Sequence, residues 1–159
     1  MLTLGQMLFR FVVALVLGAI LGVERELVRK EAGVRTEMLV AGGAALFTMA
    51  GLMLPYLTAL DSTNLTDILA HNSGFLQVIA NVVVGIGFLG AGLIIKSNDH
   101  PHGVTTAALV WLTAAVGILA GAGLLQFATV SALLIAVLLF ILRKMNVSER
   151  LEKESAELK

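Results

Sequence analysis

The chain has 159 residues, 58% of them hydrophobic and 14% charged, with a mean hydropathy of +0.93 and a formal net charge of zero. A soluble domain carries about 25% charged residues, so the composition excludes an ordinary water-soluble globule and indicates a membrane protein. Cysteine is absent, which removes disulfides and thiol chemistry.

A helix needs about 20 apolar residues to cross the hydrocarbon. Five such spans are predicted, at 4–23, 37–56, 76–95, 104–122 and 124–142. The expected fold class is therefore an all-α membrane protein, a bundle of five transmembrane helices over 1–142. A charged tail follows over 143–159.

The first span is not a cleavable signal peptide, because its positive charges follow the apolar run instead of preceding it. It contains Arg10. An intramembrane arginine marks a functional site by default. With only nine residues before it, the side chain can also snorkel to the outer interface.

The loop ERELVRKEAGVRT follows, with Arg25, Arg29, Lys30 and Arg35. Alternating spans put these residues on one side with Lys96, Arg143, Lys144, Arg150, Lys153 and Lys159, which makes ten of the eleven basic residues. By the positive-inside rule the amino terminus is outside and the carboxyl terminus cytoplasmic. Glu24, Arg25, Glu26, Arg35 and Glu37 cluster at this inner rim. Two readings are open there. Hard cations such as Mg2+ take carboxylate oxygens and retained waters, and Glu24, Glu26, Glu31, Glu37 and Asp99 are the available acids. The same residues also suit an ion-pair network that anchors the loop.

The outer loop, 57–75, has no basic residue, and Ser62 or Asn64 can cap a short surface helix there. The third span holds Gly85, Gly87, Gly90 and Gly92 at GxGxxG spacing. A dinucleotide fingerprint needs a strand before it, a helix after it and an acid about 20 residues on. These glycines lie midway along an apolar run, so they are read as surfaces for close helix packing. Gly18/Gly22 and Gly117/Gly121 form GxxxG pairs with the same meaning, within the bundle or in a homodimer. Asn81 is expected to hydrogen-bond a neighbouring helix, with a ligand contact as the alternative.

Asp99-His100-Pro101-His102 reads as a polar loop, with imidazole ligation of a transition metal as the alternative. Trp111 reads as packing or an interface anchor. Only Gly121-Ala122-Gly123 separates the last two spans, which requires a very tight turn. The tail is expected to be a solvated helix, with Arg150/Glu154 and Lys153/Glu157 at i, i+4.

Shifting the sequence by 70 residues aligns 33–51 with 103–121, with nine identities in nineteen positions. This predicts a parallel repeat relating the first two spans to the third and fourth. Each copy enters its second helix on Gly-Val-x-Thr, where Thr36 and Thr106, with Thr105 beside it, can cap free N–H groups or hold an anion. No carboxylate lies mid-span, whereas a cation pathway usually leaves acids or broken helices there. No nucleophile–base pair is recognisable, so an enzyme is not expected.

Four blocks carry a resemblance: GVEREL at 22–27, AGVRTEMLVAGGAALF at 32–47, VVVGIGFLGAGLII at 82–95 and GVTTAALVWLTAAVGILAGAG at 103–123. In this order they resemble the MgtC/SapB family of bacterial inner-membrane proteins, over about the first 140 residues. The resemblance implies magnesium homeostasis, as divalent-cation transport or adaptation to low magnesium, and a link to survival inside host cells. It also admits a non-transporting regulator of another membrane complex, such as the ATP synthase. Position by position it points to Arg10, Glu24, Arg25, Glu26, Gly33, Arg35, Thr36, Asn81, Gly85, Gly87, Phe88, Gly90, Gly92, Thr105, Thr106 and Trp111. Asn81 departs from the glutamine the pattern suggests. Many members continue into a soluble domain after the fifth helix; the sequence ends at Lys159, so that domain's ligand sensing is not expected here.

Overall fold

The computed structural model describes residues 2–58, 74–97 and 100–144. Asp99, the outer-loop candidates Ser62 and Asn64, and the tail pairs Arg150/Glu154 and Lys153/Glu157 lie outside the described residues. Five helices, each long and apolar enough to cross a membrane, account for most of the described chain. They are α1 (Leu4–Leu27), α2 (Val34–Thr58), α3 (Gly74–Leu93), α4 (Val104–Ala122) and α5 (Leu125–Lys144). A short antiparallel hairpin, β1 (Ile95–Ser97) with β2 (His100–His102), joins α3 to α4.

α1 opens on a capping box. The Gln6 backbone N–H donates to Thr3 Oγ1 at 3.3 Å, and the Thr3 N–H donates back to Gln6 Oε1 at 3.0 Å. The helix continues past the predicted end at Val23 through Glu24–Leu27. Charged residues end the apolar run there, but they do not break the i to i−4 ladder. The helix stops where Arg29 takes a left-handed φ of 53°. α2 begins three residues earlier than predicted, and the Glu26 carboxylate accepts from the Val34 N–H at 3.1 Å. That bond satisfies an orphan donor and sets negative charge at the helix's positive end.

The third span ends two residues earlier than predicted. Ile95 is not helical but pairs with His102 in the hairpin. The fourth span matches its predicted bounds. α4 and α5 are separate helices despite the short gap, because Gly123 adopts φ 91°. Its N–H bonds Ala120 O at 3.0 Å, and the Leu124 N–H bonds Leu119 O at 2.9 Å. This is a Schellman closure, and the left-handed residue it requires is the glycine.

α2 is the hub, packed most extensively against α1 and α4. A Cβ added at Gly117 would meet the Ala41 carbonyl, and one at Gly121 the Ala45 carbonyl. The two numbers rise together, so α2 and α4 run parallel. α1 runs antiparallel to α2: Gly18 lies against the Glu37 backbone and Gly22 against Val34. Leu17, Leu21, Ala41, Ala45, Met49, Val116 and Ala120 form one core cluster, and Val40, Ala44, Val110 and Ala114 a second. α5 packs on α1 and α4, while α3 lies on α4 and α2 with most of its surface open.

Candidate functional site

Two places hold polar groups where an apolar bundle has no packing need for them. The first is where α1, α2 and α4 cross. Arg25 donates through Nε and Nη2 to one carboxylate oxygen of Glu24, and both residues are only 8% exposed. Glu26, exposed, faces the other way and caps α2. Glu37 is 0% exposed, and among the described residues neither carboxylate oxygen makes a well-formed hydrogen bond, the Thr113 hydroxyl being the nearest polar group. The Thr113 hydroxyl is likewise buried and unpartnered. The parallel register of α2 and α4 explains their meeting: one turn before the Ala41–Gly117 contact, Glu37 falls opposite Thr113.

The crossing thus holds two buried carboxylates and one guanidinium, and the guanidinium is committed to Glu24. Burying a polar group without a partner is costly, and burying an uncompensated charge more so. Glu37 is held there because Gly18 lets α1 lie against its backbone while Gly117 lets α4 lie against Ala41 one turn on. Its inward face is continuous with Ala41, Ala44, Ala45 and Thr48, all buried. That small-residue spacing at i+4, i+7, i+8 and i+11 was present in the sequence and marks Glu37 as inward-facing. Thr113 was missed because only the tertiary register brings it to an acid.

The other predicted residues take different roles. Arg10 does not snorkel free: its Nη1 donates to Gly121 O at 2.9 Å, binding the negative end of α4. Arg35 is exposed and makes no ion pair with any described residue. Thr106 is buried and Thr105 exposed; neither caps α4, whose N-cap is Gly103 at φ 83° without a side-chain bond. Asn81 does not reach a neighbouring helix. It is exposed, and its Oδ1 accepts from Gln77 Nε2 at 3.2 Å within α3. Gly85, Gly87 and Gly92 have open space where a Cβ would stand, and Gly90 touches only Ala107. Among the described residues no three acids or histidines come together to hold a metal ion. Glu24, Glu26 and Glu37 stand in three separate settings: an ion pair, a helix cap and a buried crossing.

The second place is a cleft of about 750 Å³ between α2 and α3. Leu39, Gly43 and Phe47 form one wall, and Val82, Gly85 and Leu89 the other. Thr36 and Asn81 are its polar lining residues.

Five apolar helices around a buried acid–arginine crossing define a multi-pass helical membrane protein. The MgtC family model matches residues 11–148, and the chain belongs to that family. It is 38% identical over 142 residues to an uncharacterised protein of Synechocystis, covering 89% of this chain and 54% of the relative. It is 38% identical over 130 residues to Protein MgtC of Brucella abortus, covering 82% and 48%. To Protein MgtC of Salmonella typhimurium it is 35% identical over 131 residues, covering 82% and 50%. The chain spans about half the length of these relatives. No solved structure matches it.

Proposed function

We propose that the chain is a bacterial inner-membrane protein serving magnesium homeostasis, with its amino terminus outside and residue 144 on the cytoplasmic side. Membership in the MgtC family and the relatives so named in Brucella and Salmonella support the magnesium link. The one-sided distribution of lysine and arginine supports the orientation. Labelling of introduced cysteines beside Lys30 and Lys144 tests it: both react from the cytoplasmic side, and reaction from opposite sides overturns it.

Glu37 carries the site assignment. It is a fully buried acid opposite the Thr113 hydroxyl where α1, α2 and α4 cross, and among the described residues no well-formed hydrogen bond satisfies its carboxylate. In this reading it is the cation-responsive group. A cation arriving beside it gives the buried carboxyl a charge partner and changes how tightly α1, α2 and α4 cross. Magnesium is here cargo or signal. Glu37→Gln keeps the shape and removes the charge; it is expected to fold yet fail to support growth at low magnesium. Normal growth of that variant overturns the assignment. Magnesium flux into liposomes that Glu37→Gln abolishes identifies a carrier.

A second reading, a non-transporting regulator docked on another membrane complex such as the ATP synthase, is favoured by the open surface of α3. Absent flux together with co-purification of such a complex selects it. A homodimer belongs on the α3 face bearing Ala80, Gly87 and Ala91, all exposed, because Gly18, Gly22, Gly117 and Gly121 are used within the subunit. The parallel relation of α2 and α4 supports duplication of an α1–α2 unit as α3–α4; superposing the two hairpins tests it.

A further inference from the structure

We infer that the cleft between α2 and α3 binds one anionic phospholipid, with an acyl chain along the cleft and the phosphate at Arg35. The shape comes first. The lining runs from Thr36 to Phe47 on α2 and from Val78 to Leu89 on α3. Each wall covers eleven residue steps, a length of about 16 Å at the helical rise. The floor is open because side chains are missing: a Cβ added at Gly43 or at Gly85 would meet nothing within 4 Å. The rim is apolar and outward-facing, with Leu39 73% exposed. An acyl chain fits such a slot, and the surrounding bilayer supplies it.

Charge then selects the headgroup. Arg35 lies one turn before Leu39 and two before Gly43, on the same stripe of α2. Helical side chains lean toward their own amino terminus, which carries this guanidinium past the mouth of the cleft beside Thr36. The other two arginines of the helix crossings are engaged, Arg25 by Glu24 and Arg10 by Gly121 O. Arg35 is exposed and pairs with no described residue. Guanidinium and phosphate match in geometry as well as charge, through two parallel N–H···O bonds.

A second copy suits the cleft less well. Copies inserted in one orientation and related by a two-fold axis along the membrane normal would bring two Arg35 side chains to the same depth across the contact. Like charges there oppose association, whereas a phosphate neutralises the one that is present.

The test uses the purified chain with phosphatidylglycerol and phosphatidylcholine of matched acyl chains at equal mole fraction, read by native mass spectrometry. The wild type is expected to retain phosphatidylglycerol roughly fivefold over phosphatidylcholine, the size of one cation's attraction to an anionic surface. Arg35→Gln brings the two to parity. Gly85→Leu, which fills the slot, removes both retained lipids while helical circular dichroism and a monodisperse elution persist. If that variant does not fold, Gly43→Leu fills the slot from the other wall. Parity in the wild type overturns the proposal, as does undiminished retention in a folded, slot-filled variant. So does a wild-type dimer without lipid that either filling substitution dissolves.

Discussion

The glycines of the α1–α2–α4 crossings and those of α3 lie in equally apolar helices, yet they do opposite things. At Gly18, Gly22, Gly117 and Gly121 another backbone occupies the space a side chain would need. At Gly85, Gly87 and Gly92 nothing does. Small residues in a membrane helix permit close approach, since lipid removes the hydrophobic drive and leaves van der Waals packing. Whether the approach happens is decided by what else a crossing holds. The closed crossings set the backbones of Val34, Glu37, Ala41 and Ala45 opposite their glycines. α3 offers Val84, 73% exposed, and no comparable partner.

The largest effect that would break this contrast comes from the charges inside the closed region. Arg25→Ala leaves Glu24 and Glu37 buried without a cation, and losing one partner of a buried pair costs about 3–5 kcal/mol. Thermal unfolding in detergent should show the loss, and Glu24→Gln combined with Arg25→Met should recover most of it. An unchanged melting temperature for Arg25→Ala would mean that water reaches the crossing. Next comes Gly117→Leu, which drives a side chain into the Ala41 backbone. The loss should lie at the upper end of the about 1–3 kcal/mol typical of overpacking, because backbone cannot step aside as a side chain can. The same change at Gly92 should leave the melting temperature within a degree or two, by contrast with a destabilised core.

Much of the fold was legible from apolar length alone. The five spans, their order and the α4 bounds follow from runs near membrane thickness. Several ends were not legible, the start of α2 at Val34 among them, because hydropathy does not govern them. Glu24–Leu27 stay helical after the apolar run stops, and Ile95 leaves the helix while still apolar. The polar rim was legible as a neighbourhood but not as a set of roles. Sequence proximity groups Glu24, Glu26, Arg35 and Glu37. The 100° step between helical residues then sends them to an ion pair, a helix cap, an exposed rim and a buried crossing. The glycines were least legible, since a pattern shows that a surface is small without showing what comes to cover it.

A smaller effect comes from the far end of the closed region. Arg10 joins α1 to the carboxyl end of α4 through Gly121 O. Its charge also complements the helix dipole, and arrangements of this kind contribute about 1–2 kcal/mol when partly buried. Arg10→Met keeps the apolar stem and removes the donor. The expected result is a modest fall in melting temperature together with faster hydrogen exchange at residues 119–124, while the α1–α2 contact near Glu37 is unaffected. Equal protection in both proteins would show that the Schellman closure at Gly123 holds the turn unaided.

The smallest effect tests α3 itself. Within the subunit a methyl at Gly87 meets nothing, and alanine is favoured over glycine in a helix by up to about 1 kcal/mol. Gly87→Ala should therefore leave the monomer's melting temperature the same or slightly higher. The face that carries Gly87 also carries Ala80 and Ala91, the surface assigned above to a second copy. If that assignment holds, the added methyl separates two backbones and weakens dimerisation while the monomer gains. Sedimentation of wild type and variant in matched detergent separates the two effects: opposite movements of dimer affinity and melting temperature place the contact on this face. A variant that dimerises like the wild type leaves α3 open to lipid there, and glycine in this helix would then be no guide to contact.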